Sequence, residues 1–154
     1  MKEIKKETFI YNDLGFPILL INAPLRKVFG EWMLDLNLNK LQLSALNALI
    51  RKASPLKGAE MHFIRAFLEM TTAEFGKLFG VSHAAVVKWE HDLVKINPAT
   101  ELCIRLYVAD HLYTKDKEFR KLYQNITVAS LLKHKEDKSV PLEIHADEQM
   151  LLAC

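Results

Sequence analysis

The sequence predicts a mainly α-helical protein of the α+β class, with a small antiparallel β module at its N-terminal end. Residues 8–34 are rich in β-branched and aromatic residues separated by turn residues, which is typical of short strands. From residue 39 onward, apolar residues recur at the i, i+3, i+4 spacing of amphipathic helices. A Gly-Val-Ser segment at residues 80–82 separates two such helices, both of them short.

Size and composition limit the classes of protein to consider. The 154 residues suit one domain, or one domain with an appendage, and half of them are hydrophobic, enough for a real core. A net charge of +2 does not by itself indicate a polyanionic partner, so any DNA contact has to come from a local patch. With two cysteines and no signal-peptide or membrane-spanning run, we expect a cytoplasmic protein without a disulfide framework and without a membrane partner.

The N-terminal module is predicted to cover residues 1–53. Its first eight residues are charged and expected to fray; extended runs follow at 8–11 and 16–21, with turn residues at 12–15 and again at 22–24. The strands are expected to be held by packing of six apolar residues: Phe16, Ile18, Leu20, Val28, Phe29 and Trp32. A helix over residues 39–52, with Leu43, Leu46, Leu49 and Ile50 as its apolar stripe, ends at Ser54-Pro55.

Residues 70–91 predict a pair of helices joined by a tight turn. The first helix runs from Thr72 to Phe79, and Gly80 stands where a C-terminal cap needs a positive φ. Ser82 is suited to cap the second helix, which runs from His83 to about His91. The apolar spacing turns Phe75, Leu78 and Phe79 inward on the first helix, and Val86 and Trp89 inward on the second. Such a pair is the helix-turn-helix unit, whose second helix enters the DNA major groove.

This segment resembles the Cro/C1 (XRE) type of helix-turn-helix over about residues 55–112. The residues that carry the resemblance are Thr71, Glu74, Phe75, Gly76, Gly80, Val81, Ser82, Val86, Trp89 and Glu90. The resemblance implies a five-helix domain at residues 54–126 and an ion pair between Arg65 and Glu90. A carboxylate trapped under the second helix needs a charge-assisted partner, although two solvated surface charges remain the alternative. The family often has Gln where this chain has Thr72, whose side chain reaches less far.

The second helix is expected to read DNA through His83, Ala84, Val87 and Lys88. Lys88 can donate to guanine O6 and N7, His83 can donate or accept, and the two apolar side chains can touch a thymine methyl group. Phosphate contacts are expected from Thr72, Ser82, His91, Lys77 and Lys95. The low polarity of this face leaves two interpretations open. The face could recognise bases mainly through thymine methyl groups, or it could be a surface used for protein contact.

The order of a β module, a helix and then a helix-turn-helix is similar to that of MqsA- and HigA-type antitoxins. MqsA-type N-terminal domains bind zinc through four cysteines, and this chain has none in that region. The resemblance implies a sequence-specific DNA-binding transcriptional repressor that autoregulates a toxin–antitoxin operon. Its partners would be a double-stranded DNA operator, a second copy in a homodimer, and a cognate toxin. The alternative is a protein–protein adaptor whose helix-turn-helix no longer reads DNA.

Residues 127–154 are predicted to form a C-terminal helix and tail. Residues 140–145 alternate apolar and polar side chains, so this part could be a strand, an arm that docks on a partner subunit in a dimer, or a loose tail. No stretch of the sequence has the spacing of metal ligands, a phosphate-binding glycine loop or a recognisable nucleophile signature. We therefore expect a protein that is not an enzyme and uses neither a metal nor a cofactor.

Overall fold

The computed structural model describes residues 3–112 and 141–146. The chain divides into two compact units, Met1–Ala48 with Val140–Cys154 and Leu49–Ser139. This division lies a few residues before the predicted boundary at 53/54, and it places the described residues 141–146, which were expected in a separate C-terminal segment, in the N-terminal unit. The part of the predicted five-helix domain beyond residue 112, and the C-terminal helix predicted after residue 127, lie outside the described residues. The α+β class is confirmed.

The first unit contains a four-stranded mixed sheet around one long strand. Strands β1 (Ile4–Tyr11), β2 (Ile18–Val28) and β3 (Glu31–Leu34) are antiparallel neighbours in the order β1-β2-β3. Strand β4 (Leu142–His145) pairs in parallel with residues 18–21 of β2, whereas β3 pairs with residues 25–28 of the same strand. The central strand β2 therefore organises the unit.

Two sequence predictions in this sheet are wrong. Residues 4–8 are not frayed, because β1 begins at Ile4. The expected turn at residues 22–24 is an irregularity inside β2: Asn22 has a φ of 54°, and the pairing with β1 shifts register between Glu7 and Phe9. Asn tolerates the left-handed region, and an extra residue in one strand bends the ladder without ending it. The same residue types that favour turns thus form a bulge here.

The hairpin turn between β2 and β3 consists of Phe29 and Gly30. Their φ values are 49° and 83°, and positive φ at both central residues is the requirement of a type I′ turn. Phe29 was expected in the core, but its side chain is fully exposed. Trp32, also expected in the core, is 39% exposed and lies beneath the ammonium groups of Lys5 and Lys27, which are 4.4 and 5.7 Å from the ring centroid.

Helix α1 (Leu38–Arg51) follows the sheet and runs from the first unit into the second. Asn37 caps the N-terminal end of α1: its Oδ1 accepts from the backbone N–H groups of Asn39 and Lys40 at 3.0 and 3.2 Å. Its first three turns bury Leu41, Ala45 and Leu46, and the first unit also buries Phe16, Ile18, Leu20, Ala23, Leu25, Leu36 and Ile144. Leu43 was expected in the stripe but is 44% exposed.

The second unit contains helices α2 (Gly58–Phe67), α3 (Thr72–Phe79), α4 (His83–Glu90) and α5 (Pro98–Leu112). Its core is apolar and includes Met61, Ile64, Phe75, Val86, Trp89, Ile104 and Val108. Aromatic rings connect α3 to α5, because Phe79 lies 4.9 Å from Phe75 and 5.7 Å from Tyr107, centroid to centroid. Within residues 3–112 and 141–146, no helix has both the length and the apolar character needed to cross a membrane.

A buried ion pair within α5 is hydrogen-bonded to the backbone of the segment that follows α1. Arg105 is completely buried and donates to Glu101 Oε2 at 3.0 Å; Glu101 Oε1 accepts from the backbone N–H of Leu56 at 2.8 Å. The guanidinium also donates to three carbonyls, those of Ile50, Lys52 and Ser54. Burial lowers the pKa of Arg105, and the neighbouring Glu101 opposes that effect. The pair holds the non-helical residues 52–57 in place ahead of α2.

Candidate nucleic-acid interface

The α3–α4 pair is defined by capping at both sides of its turn. The hydroxyl of Thr71 accepts from the backbone N–H of Glu74 at 3.1 Å, which starts α3. Gly80 ends that helix in the left-handed region with a φ of 73°, where a Cβ is unfavourable. The hydroxyl oxygen of Ser82 then accepts from the backbone N–H of Ala85 at 3.1 Å and starts α4. Three residues, 80–82, therefore suffice to redirect the chain, as expected from the sequence.

Gly76 allows the turn to lie directly against α3. Its backbone carbonyl accepts from the N–H of Val81 at 2.8 Å, and a Cβ on Gly76 would lie 2.6 Å from the carbonyl oxygen of Val81. That distance is shorter than any ordinary van der Waals contact, so a side chain here would push the two helices apart. The absence of a side chain at Gly76 therefore has a steric reason in this chain.

Helix α4 has one buried side and one exposed side. Val86 is fully buried and Trp89 is 7% exposed, as the spacing predicted. The four residues expected to read bases are all exposed on α4, in its first two turns: His83, Ala84, Val87 and Lys88. Leu78, expected to face inward on α3, is instead 44% exposed.

The residues expected to contact phosphates surround this pair in sequence. Lys77 on α3, Ser82 and His91 at the two ends of α4 and Lys95 in the following loop are exposed, whereas Thr72 is half-buried. The oxygen of Ser82 accepts the capping hydrogen bond, so the hydroxyl proton is what remains for a phosphate. Between residues 71 and 95 the exposed charges are three lysines against Glu74 and Asp92, a net charge of +1. Any electrostatic attraction to DNA here is local and modest.

An ion pair braces the C-terminal end of α4 against α2. The Arg65 guanidinium donates from Nε to Glu90 Oε2 at 2.6 Å and from Nη2 to Glu90 Oε1 at 2.8 Å. A third donor, Nη1, reaches the carbonyl of Met70 at 2.9 Å. The two side chains are only 16% and 7% exposed, so the pair expected from the sequence is present and is not a pair of solvated surface charges.

His62 belongs to the same cluster and was not anticipated from the sequence. Its Nδ1 lies 2.6 Å from Glu90 Oε1, and because a carboxylate only accepts, Nδ1 carries the proton. Burial raises the pKa of Glu90, but the hydrogen bonds and charges of Arg65 and His62 together outweigh it and hold that pKa below its ordinary value. The spacing of His62, three residues before Arg65 on α2, places the two side chains on one side of that helix but does not indicate that either contacts Glu90.

Gly58 and Asp92 also contribute to fixing the C-terminal end of α4. A Cβ on Gly58 would lie 2.7 Å from both the carbonyl oxygen of Trp89 and the carbonyl carbon of Glu90. Asp92 has a φ of 56°, and its Oδ1 accepts from the backbone N–H of Gly58 at 2.7 Å, at the first turn of α2. The C-terminal end of α4 is thus fixed by a close backbone approach as well as by the ion pair.

Comparison with known proteins gives no relative: no family model, no curated protein and no solved structure matches the chain. Among the residues that the structure describes, no group of three or more His, Cys, Asp and Glu side chains could hold a metal ion. Interpretation of function therefore depends on the residues and contacts of the α3–α4 pair.

Proposed function

We propose that the protein is a sequence-specific DNA-binding transcriptional repressor in which α3 and α4 form a helix-turn-helix of the Cro/C1 type. The observation that carries the proposal is the position of α4. This helix buries Val86 and Trp89, exposes His83, Ala84, Val87 and Lys88, and is braced at its far end by Arg65 and Glu90. A rigidly held helix with one exposed face is what insertion into a major groove requires.

In this proposal each predicted contact residue has a defined chemical role. The Lys88 ammonium donates to guanine O6 and N7, and His83 donates or accepts at the adjacent base pair. Ala84 and Val87 make apolar contact with thymine methyl groups. Thr72, Ser82 and His91 donate to phosphates, and Lys77 and Lys95 neutralise them. The apolar share of this surface favours recognition of A·T-containing steps in addition to guanine.

The proposed assembly is a homodimer on a double-stranded operator. One reading helix covers a half-site, and paired half-sites lie about 34 Å apart along the DNA. With Lys77 and Lys95 each neutralising one phosphate per protomer, four phosphates are neutralised by the dimer. The logarithm of the binding constant then falls with the logarithm of salt concentration with a slope of about −3.6.

Autoregulation of a toxin–antitoxin operon is the biological role we propose for this repressor. Its support is the order of a β module, a linking helix and the α3–α4 pair, which is similar to that of MqsA- and HigA-type antitoxins. Isolation of the protein from its native cell with a toxin-like partner bound is the expected result. Isolation without one would contradict the antitoxin role and leave the DNA-binding role standing.

Fluorescence anisotropy on a duplex from the protein's own upstream region tests DNA reading. The wild type is compared with a His83→Ala, Lys88→Ala double variant, with scrambled duplex as competitor, at two salt concentrations. Lys40→Ala is the matched control, because Lys40 is an exposed lysine on α1. We expect the wild type and the control to prefer the upstream duplex and the double variant to lose that preference. Equal, salt-insensitive binding to both duplexes would refute the proposal.

A second candidate is a protein–protein adaptor with the same fold. The observation that favours it is the exposed apolar surface of the second unit: Leu78 is 44%, Val87 38%, Leu93 72% and Val94 49% exposed. Exposed apolar side chains of this kind suit contact with a partner protein as well as they suit contact with thymine methyl groups. Absence of any duplex preference in the anisotropy experiment would favour this candidate.

A further inference from the structure

His62 is the solvent-exposed member of the cluster around Glu90. Its side chain is 61% exposed, whereas those of Glu90 and Arg65 are 7% and 16% exposed. Its Nδ1 nevertheless donates to Glu90 Oε1 at 2.6 Å. A carboxylate at the end of α4 therefore fixes the orientation of an exposed ring on α2, and the second ring nitrogen, Nε2, lies on the side of the ring away from Glu90.

The contact with Glu90 orients His62 more than it neutralises the carboxylate. Arg65 already donates to both oxygens of Glu90, from Nε to Oε2 and from Nη2 to Oε1. His62 is thus a second donor to Oε1, and its Nδ1 lies 3.2 Å from Arg65 Nη2. Because both nitrogens carry protons directed at the same oxygen, they do not bond to each other. The charge of Glu90 is balanced by Arg65 without His62.

The cluster adjoins the face of α4 that carries the expected base contacts. Glu90 follows Val87 by three residues and His83 by seven, so these three residues share one strip along the helix. Val87 and His83 are exposed on that strip, and His62 contacts it at its C-terminal end. His62 therefore lies at the flank of the helix that is proposed to enter the major groove.

The start of α3 adjoins the same cluster. Arg65 Nη1 donates to the carbonyl of Met70 at 2.9 Å, two residues ahead of Thr72, which is an expected phosphate contact. A helix of about 10–12 Å diameter fills a major groove about 12 Å wide, so side chains that flank it face the phosphates at the groove edge. His62 flanks α4 in this way and presents a free ring nitrogen.

We propose that His62 is a phosphate-binding residue of the helix-turn-helix and that Glu90 positions it. This inference rests on the DNA-binding function proposed above. In the complex, Nδ1 donates to Glu90 and Nε2 donates to a phosphate oxygen on the other side of the ring. Because both nitrogens then carry a proton, the bound ring is an imidazolium. The charged groups that contact the ring are Glu90 on α4 and Arg65 on α2, which neutralise each other.

Two amide substitutions separate the two nitrogens of His62. In His62→Asn the amide nitrogen can stand where Nδ1 was and donate to Glu90, but nothing replaces Nε2. In His62→Gln the amide nitrogen can stand where Nε2 was and reach a phosphate, but no donor remains at the Nδ1 position. A merely structural role predicts that Asn maintains DNA binding, whereas phosphate binding predicts that Gln does. His145→Asn is the matched control, because His145 is an exposed histidine of the first unit.

Fluorescence anisotropy of the whole protein at pH 6, on the upstream duplex and on scrambled duplex, compares these variants. We expect His62→Asn to weaken binding to both duplexes equally, by about threefold per protomer, the size of an exposed ion pair, and by about tenfold for a dimer. His62→Gln should bind more tightly than His62→Asn, and His145→Asn should bind like wild type. An unchanged urea midpoint is expected for His62→Asn. Wild-type affinity in His62→Asn, or binding by His62→Gln no tighter than by His62→Asn, would overturn the proposal.

The pH dependence of binding is an independent readout. Because the phosphate contact takes up a proton at Nε2, wild-type affinity should rise as the pH is lowered from 8 to 6, the interval in which histidine ordinarily changes charge. Any contribution from His83 or His91 is common to wild type and His62→Gln, so the difference between these two proteins isolates His62. Wild type should gain about threefold more affinity per protomer than His62→Gln over this interval. An equal gain in both proteins would overturn the proposal.

The two proposals fail in different ways. A wild type that binds neither duplex would refute the proposed DNA-binding function and the role of His62 with it. A wild type that prefers its upstream duplex, beside His62 variants that bind as tightly as wild type, would refute the role of His62 alone. The proposed base contacts of α4 would then stand unchanged.

Discussion

Removal of Arg65 should leave a buried, uncompensated carboxylate under α4. In Arg65→Met the Glu90 side chain, 7% exposed, keeps only His62, whose own side chain is 61% exposed and well solvated. Breaking one side of a buried ion pair costs about 3–5 kcal/mol. We expect about 3 kcal/mol at neutral pH, the lower end of that range, because His62 still donates to Glu90. Arg65→Met with Glu90→Gln should be more stable than Arg65→Met alone, since no charge remains buried.

The same variant should change how stability depends on pH. In the wild type the pKa of Glu90 lies below its ordinary value of 4.5, because the hydrogen bonds and charges of Arg65 and His62 outweigh the raising effect of burial. A lowered pKa in the folded state stabilises the protein above pH 4.5, and that contribution is lost as the pH falls below it. Without Arg65, burial should raise the pKa of Glu90, and protonation then relieves the defect. The stability deficit of Arg65→Met should therefore shrink as the pH is lowered from 7 towards 5.

Urea denaturation followed by tryptophan fluorescence measures both effects. The sequence has two tryptophans, so a Trp32→Phe background leaves Trp89, which is buried on α4 next to Glu90, as the single reporter. The wild-type pair, both single variants and the double variant are compared at pH 7 and pH 5. Equal stability of Arg65→Met and the double variant, or a deficit that does not change with pH, would show that no unpaired charge is buried and refute the reasoning.

Three further expectations concern the same unit. Gly58→Ala forces a Cβ against the backbone of Trp89 and Glu90 and should lower the free energy of unfolding by about 1–3 kcal/mol; a urea midpoint equal to that of wild type would contradict this. Ser82→Ala removes the N-cap of α4 and should lower the free energy of unfolding by about 1 kcal/mol in the same assay. An unchanged free energy of unfolding would show that the cap is redundant. Lys77→Ala should weaken binding to the operator and to scrambled duplex equally, and it should reduce the magnitude of the salt slope by about 1 per protomer. A loss of affinity for the operator alone would instead assign Lys77 to base readout.

The sequence predicts the α3–α4 pair well because its determinants are local. Gly80, Ser82 and the spacing of Val86 and Trp89 each act within one or two turns of helix, and their roles in the structure match the expectation. Local residue preferences predict structure less well where a turn and an irregularity within a strand favour the same residue types. Residues 22–24 have the composition of a turn, yet they lie within β2, because pairing with β1 continues on both sides of the irregularity.

Burial of charge was not predictable in the same way. Glu101 and Arg105 are four residues apart on one helix, the usual spacing of a solvated surface pair. Only the fold shows that they are buried and that the guanidinium takes up the carbonyls that follow α1. Likewise, the participation of His62 in the Glu90 cluster depends on how α2 meets α4, which no spacing within either helix specifies.

The parallel pairing of β4 with β2 has a consequence for synthesis on the ribosome. Ile21 and its partner His145 are separated by 124 positions in the chain. At about 5–20 residues per second, roughly 6–25 s pass between translation of the two. The nascent sheet must wait that long for its fourth strand, whereas every described helix of the second unit has already been translated. The helical unit can therefore reach its native contacts first, and the edge of β2 at residues 18–21 stays open to other strands in the meantime.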